Sequence, residues 1–570
     1  MAAVMRMMEM ITAAAAVIYL IGRVVLPIWR RIRTRLLLIL VICWIPLQID
    51  VAHAANHYVR AGAAGTSDGS DWTNACTDFT GSCAVSSLVR GDTYYVASGT
   101  YAGRTFDTAT SGTLVITIKG ATVADHGTST GWVSSYSVSS ADGGSQAVWS
   151  HRSPTTIELY NSYFVFDGAV GSLSTTKTDY GFKVSGPTCP AGHQGFDVWG
   201  PSGIATNITI KHITYTGCTS VGDIGLEAIQ VGCGACHLDT ITISDSLFSD
   251  MSRVVDFSNV NNIVYERNIS QGQWSSAANH GETISFNNNN VPAESVNGTV
   301  RYSQFLSSEG TATIACGLFG EGNACEGLKV YGNLFMNKVD GGNGIIATGS
   351  SGFAYLRNVL VYNNTFLRND AQLIWLCSGD CANSTGNEFK NNFVYDSAST
   401  IDAGTGSITS DSNRFYNISS GAAFGTNQQT TTGGACPFVS CTAPYNLRLL
   451  SATNAGTSLA SPYDVDPDGV TRGGDGVWDR GAYEFTGAAA GGVVPHTGGS
   501  RFLIFVEWAT LLLSIWNSRA ILISILAAAS VVGSYPRYAL PYVQKTHCAV
   551  KAASAGLIVA CLRKEKHGVS

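Results

Sequence analysis

A chain that uses few charges gathers several of them at one recurring place. In AANHGETISF (277–286), His280 stands two residues ahead of Glu282, so both point to the same side of an extended strand. LEAIQV (226–231) and RVVDF (253–257) repeat the pattern of ETISF, with Glu227 and Arg253 where that segment has Glu282. Thr311 opens a fourth copy, TATIA. If these segments stack, Glu227, Arg253 and Glu282 lie roughly 4.8 Å apart on one face, with His280, Asp223, Asp256 and Glu309 nearby. Two chemistries fit such a set. Abstraction of a proton alpha to a uronic carboxylate needs a base, His280, and a cation to neutralise the carboxylate, Arg253. Glycoside hydrolysis needs two carboxylates, about 5–5.5 Å apart for retention and roughly 6.5–9.5 Å for inversion. Glu227 and Glu282, two repeats apart, suit the longer range. Arg253 between them is expected to lower both carboxylate pKa values. The plainer alternative is a structural ion-pair ladder, which stabilises little where it is exposed.

A second pattern, DVDPDGVTRGGD (464–475), puts Asp464, Asp466, Asp468 and Asp475 at positions 1, 3, 5 and 12 of a loop, with Gly469 at position 6. Short side chains at alternating positions can converge on a hard cation such as Ca²⁺. Position 12 is Asp rather than Glu, and no helical pattern flanks the loop. Trp132, Trp149, Trp199 and Trp274 fall in polar stretches, where exposed rings would stack on sugars.

Cysteines divide by position. Of fifteen, Cys43 lies in the leader and Cys548 and Cys561 in the tail, leaving an even number from Cys76 to Cys441. Close spacing pairs Cys76 with Cys83, Cys316 with Cys325, Cys377 with Cys381 and Cys436 with Cys441, as loop-stapling disulfides of an exported protein. Cys189, Cys218, Cys233 and Cys236 are left without an assigned connectivity, and a zinc site is the rival reading for the Cys233–Cys236 CxxC.

The elements that must carry these residues follow from composition and repetition. Charged residues make up 13% of the 570 positions, about half the usual quarter. Gly, Ser, Thr and Asn dominate the middle, which disfavours long surface helices and suits strands joined by turns. The net charge of −6, with no basic stripe in the middle, speaks against a nucleic-acid partner. Arg30, Arg31, Arg33 and Arg35 precede an apolar run and Ala52-His53-Ala54, a cleavage-like site, so 1–54 reads as a signal and hydrophobic leader. Residues 486–500 form a small-residue linker. Residues 501–570 hold two apolar runs that read as a membrane anchor, although each is short for a span.

Between them, alternating segments recur: NITIKHITYTG (207–217), DTITISDSLFSD (239–250), LKVYGNLFMN (328–337), VLVYNNTFLR (359–368). Val330, Asn333 and Phe335 match Val361, Asn364 and Phe366, and Phe248, Phe305 and Phe393 hold a similar place. The steps from Phe305 are 30, 31 and 27 residues. No amphipathic helix separates the strands, which excludes βαβ folds and predicts an all-β solenoid whose coils stack, with an Asn bonding the backbone of the next coil at a turn.

These Asn–Phe repeats resemble right-handed parallel β-helix proteins of the pectin-lyase-like superfamily. YVRAGAAGTSDGSDWTNAC (58–76) and VRGDTYYVASGTYAG (89–103) are similar to the openings of exported members. LRLLSATNAGTSLASPYDVDPDGVTRGGDGVWDRGAYEF (447–485) resembles the closing segment of bacterial surface members, in which Arg472 and Asp479 would pair. The resemblance covers about 58–485 and implies a β-helix domain over 55–485. It also implies an exported or cell-surface protein that binds or cleaves polysaccharide, as a lyase or glycoside hydrolase. The alternative is a non-catalytic adhesin or structural module.

Overall fold

In a computed structural model, the described residues are Met8, 10–16, Tyr19 and most of 54–487. The stretches outside the description are 186–193, 200–203, 218–226, 233–236, 276–280, 288–296, 311, 318–323, 339–343, 349–353, 379–380, 399, 403–405 and 422. The backbone of 548–553 and 556–561 is also described. Contacts divide the chain into Met1–Val494 and Pro495–Ser570. In the second unit, Cys548–Ala553 and Gly556–Cys561 pair as an antiparallel hairpin. Among the described residues, no helix is long and apolar enough to cross a membrane. The leader and anchor readings fall mostly outside the description.

The first unit is a right-handed parallel β-helix, the hand that parallel strand crossovers take. One coil shows the plan. Ile204–Lys211 lies in the first sheet, Ile213–Thr216 in the second and Glu227–Gly232 in the third, and His237–Ser244 returns to the first. Among the described residues, sheets 1, 2 and 3 hold twelve, twelve and ten strands, in chain order and pairing in parallel. The β-branched and aromatic side chains stack inward. In sheet 3 one such row runs Phe196, Ile229, Val255, Ile284, Ile314, Ile346, Ile374. In sheet 2, Phe305, Phe335 and Phe366 stack 4.8 and 5.1 Å apart with nearly parallel rings. Phe393 leaves this row. Val394 sits opposite Phe366, and Phe393 points outward against Phe438. Phe248 and Phe305 are both opposite Ser270, which interrupts the stack.

The expected asparagine device is present between sheets 1 and 2. Turns here begin in the left-handed region: His212, Asp245, Arg267, Tyr302, Gly332, Asn363, Asn391 and Ser412 have φ from 52° to 66°. An amide residue usually follows. Asn333, Asn364 and Asn392 each accept from the backbone N–H one coil earlier, at 2.9 Å. Each also donates to a carbonyl at 2.8–2.9 Å. These buried amides therefore satisfy the backbone groups that the turn leaves unpaired.

The outer face of sheet 2 is closed from both directions. The loop 168–181 lays Tyr180 over Leu247 and Ile269. The C-terminal segment brings Leu447, Leu449 and Tyr483 onto Leu334, Leu367 and Phe393. It is fastened to the turn column by Gly481 N–H to the Asn391 carbonyl (2.7 Å) and Ala482 N–H to Thr365 Oγ1 (2.9 Å). Tyr463 packs edge-on against both Tyr331 and Tyr362. Arg472 donates to the backbone carbonyl of Asp479, and its carboxylate partner is Glu484 rather than Asp479. The Asp479 carboxylate instead accepts from the N–H groups of Thr453 and Phe485.

Candidate active site on the third sheet

Sheet 3 follows sheet 2 in each coil. Its strand starts collect the charges singled out above. Glu227 pairs in register with Arg253, and Val255 pairs with Ile284, which carries the row on to Glu282. Ile284 in turn faces Ile314, so Ala312 continues the row and the TATIA alignment slips by one residue. That slip moves a whole set of side chains to the other face, because strand side chains alternate.

Arg253 is the hub. Its Nη1 donates to Glu227 Oε1 at 2.8 Å and Asp256 Oδ2 at 3.3 Å, and its Nη2 donates to Glu282 Oε2 at 3.1 Å. The side chains of Arg253 and Glu227 are each 11% exposed, and that of Glu282 is 0% exposed. Three expected residues thus converge, but in a nearly enclosed network. His280 and Asp223 lie outside the described residues. Glu309 is exposed at the turn leading into Ala312–Cys316.

Electrostatics reverses one expectation. Burial pushes the Glu227 carboxyl up, and this outweighs the attraction of Arg253, with Asp256 adding repulsion. One guanidinium shared by three carboxylates cannot neutralise them all, which leaves burial the stronger influence on Glu227. Burial also opposes the charge of Arg253, but its three acidic partners outweigh that and hold it firmly ionised.

A second row beside this one was not picked out from the sequence. Thr105, Glu158, Asp197, Gln230, Asp256 and Ser285 stack in successive coils, with the inward residues Phe106, Leu159, Val198, Val231, Phe257 and Phe286 next to them. Asp197 lies two coils from Asp256, roughly 9–10 Å at strand spacing. Burial lifts the Asp197 carboxyl to about 7, with further repulsion from Glu158, against a hydrogen bond from Trp199. Glu158 accepts from Thr105 and Arg152. Tyr160, hydrogen-bonded to Glu158, packs edge-on against Trp199 at 5.0 Å. Gln194 receives Thr155 Oγ1 at 3.1 Å and donates to Gln230.

This face changes along the axis. Gln194, Asp197, Trp199 and Gln230 are half-buried, whereas Asp256, Ser285, Ala315 and Ala347 are buried. The accessible part is therefore the Asp197–Gln230 stretch. QGFDV (194–198) carries the same in–out alternation as EAIQV, with Phe196 and Val198 matching Ile229 and Val231. That alternation is the signal by which Asp197 was legible. Of the tryptophans, Trp149 is a core residue, Trp274 is buried, Trp132 stacks on His126 at 4.3 Å, and Trp199 borders Asp197.

The aspartate-rich loop closes on the protein itself. Asp466 Oδ1 accepts from the N–H groups of Asp468 and Val470, and Oδ2 from that of Glu484. Asp468 takes both arms of Arg448 at 2.5 and 2.6 Å, and Asp475 caps the Val477 N–H at 2.9 Å. Among the described residues, no group of three or more His, Cys, Asp or Glu is placed to hold a metal ion. The four close cysteine pairs, Cys76–Cys83, Cys316–Cys325, Cys377–Cys381 and Cys436–Cys441, form disulfides. Such bonds persist in oxidising compartments. Cys189, Cys218, Cys233 and Cys236 lie outside the described residues.

No protein-family model and no curated protein sequence matches the chain. Two solved structures are similar to part of the chain. An alginate lyase from Paenibacillus sp. str. FPU-7 is 13% identical with a TM-score of 0.27, over 61% of this chain and 94% of the lyase. The catalytic unit of a thermostable GH87 alpha-1,3-glucanase from Streptomyces thermodiastaticus strain HF3-3 is 12% identical with a TM-score of 0.28, over 60% of this chain and 62% of its own. At such distances neither assigns a residue of this chain a role.

Proposed function

We propose that this is an exported glycoside hydrolase acting on polysaccharide, with its site on the outer face of sheet 3. The observation that carries the reading is the pair Asp197 and Asp256. They occupy one outward row two coils apart, close to the separation at which inverting enzymes place acid and base. Their environments differ in the sense the chemistry needs. Burial and Glu158 keep a proton on Asp197 near neutral pH, so it is the donor to the leaving oxygen. Asp256, next in the row to the half-buried Gln230, accepts a charge-assisted bond from Arg253, which suits it to the role of the carboxylate that activates water. Trp199 and Tyr160 flank the donor. Glu227 and Glu282 then serve to hold Arg253 rather than to meet substrate. The disulfides support export, and the leader and tail supply the means of secretion and surface attachment.

A lyase is the weaker reading. It needs a cation to neutralise a uronate, and Arg253 already serves three carboxylates. A non-catalytic surface module remains the competing function, supported by the enclosure of the Arg253 network.

The test uses the purified full-length chain on a polysaccharide panel, with reducing ends and product anomers read by NMR. Release of inverted product is expected. Asp197→Asn and Asp256→Asn should each lower kcat by about 10²–10⁴-fold with unchanged circular dichroism. Reducing ends from no substrate, or full activity in Asp197→Asn, would sink the hydrolase and leave the binding module.

A further inference from the structure

Resting on the hydrolase reading, we infer that the sheet 3 site takes an uncharged glycan and rejects polyuronates. Five carboxylates (Glu158, Asp197, Glu227, Asp256 and Glu282) surround two guanidinium groups, those of Arg152 and Arg253. Even with protons held on Asp197 and Glu227, three acids face two cations, so the face is already negative. With either proton lost, the face is more negative. A polyuronate adds one carboxylate per ring to that field, well within the roughly 8 Å screening length of physiological salt.

Each described arginine beside the row already donates to an acid. Arg253 spends both terminal nitrogens on three acids. Arg152 donates to Glu158 and to the Thr155 carbonyl, and Arg104 donates to Asp78 at 2.7 Å. Beside Asp197, the half-buried groups of the accessible stretch are the neutral amides of Gln194 and Gln230, with Thr155 buried beneath them. Thr155, Gln194 and Gln230 form a chain of hydroxyl and amide groups across three coils. Amides both donate and accept, which suits sugar hydroxyls. Trp199 and Tyr160 add aromatic surface at one side. Uncharged hydroxyls, rather than carboxylates, complement this floor.

Binding and cleavage are measured separately, so that each claim can fail alone. Affinity electrophoresis of the full chain at pH 7 compares dextran, pullulan, laminarin and galactomannan with alginate and polygalacturonate. At least one neutral glycan should retard the protein, with both polyuronates at least about tenfold weaker. The weakness should diminish as salt rises. Glu158→Gln should narrow the gap by strengthening polyuronate retention, without abolishing that of the neutral glycan. Polyuronate retention equal to or tighter than every neutral glycan overturns the inference, and so does retention by none. A neutral glycan that binds but is never cleaved leaves the substrate class standing and defeats only the hydrolase.

Discussion

Sheets 1 and 3 each carry a row of charges on the outside of the same solenoid, and they are built on opposite terms. On sheet 1 the row alternates in sign or is neutral: Lys119, Asp167, Lys211, Ser244, Glu266, Arg301, then Tyr331, Tyr362, Lys390 and Asp411. Asp167, Asp245 and Glu266 each have a cation in a neighbouring coil or turn. Asp167 meets Lys211 at 3.1 Å and His212 at 2.6 Å, and Asp245 takes both arms of Arg267 at 2.7 Å. On sheet 3 the acids outnumber the cations, and Arg253 stands among three of them. The proton affinities follow. Burial opposes ionisation of Asp167 and Asp245, but His212 and Lys211 in the first case and Arg267 in the second prevail and hold both carboxyls below the ordinary range. Burial of Asp197 and Glu227 meets no such excess of positive charge, and both rise. A row that satisfies its charges stabilises the coil stack. A row that leaves acids undercompensated stores protonatable groups, which is what an acid–base site requires.

The sharpest way to break this comparison is to remove the hub cation. Arg253→Met strands three buried carboxylates and should cost about 3–5 kcal/mol of stability, read as a shift in the denaturation midpoint. A change below about 1 kcal/mol would mean that sheet 3 is no less compensated than sheet 1.

The next effect is opposite pH dependence. A carboxyl whose folded pKa is raised stabilises most below its unfolded value, and that stability is lost as pH climbs through the folded one. Asp197 should therefore make the protein less stable between about pH 4 and about 7. Asp167 and Asp245 act in reverse. Their contribution is present above about pH 4 and is lost as pH falls through their lowered values. Midpoints measured from pH 3 to 8 should show Asp197→Asn flattening the neutral decline and Asp245→Asn flattening the acid one. Identical slopes in both variants would erase the distinction between the rows. The smallest effect is expected at the edge of sheet 1. Lys211 is partly exposed, and Asp167 keeps His212 as a second partner, so Lys211→Met should change stability by about 0–1 kcal/mol.

Much of this architecture was legible in the chain, because a solenoid writes its repeat locally. Val330, Asn333 and Phe335 recur as Val361, Asn364 and Phe366, and each plays the same part in its coil. Close cysteines paired as their spacing suggested. The failures were single-residue slips and neighbours in space. Phe393 kept the residue type of the core row but turned outward, since Val394 fills the core and the C-terminal segment offers Phe393 cover. Asp466 looked like a cation ligand because a loop that bends on aspartates also uses them to accept its own backbone N–H groups.

The sequence by itself determined the coil. Its alternation, its turn asparagines and its scarcity of charge dictate short stacked strands with an apolar interior, since these depend on residues near one another along the chain. Which charges share a face, and whether a proton stays on them, was decided only by the tertiary structure. Asp197 and Asp256 are 59 positions apart, and their register depends on the length of every connection between them. Their proton affinities depend on burial and on the number of cations within reach, which no local pattern records.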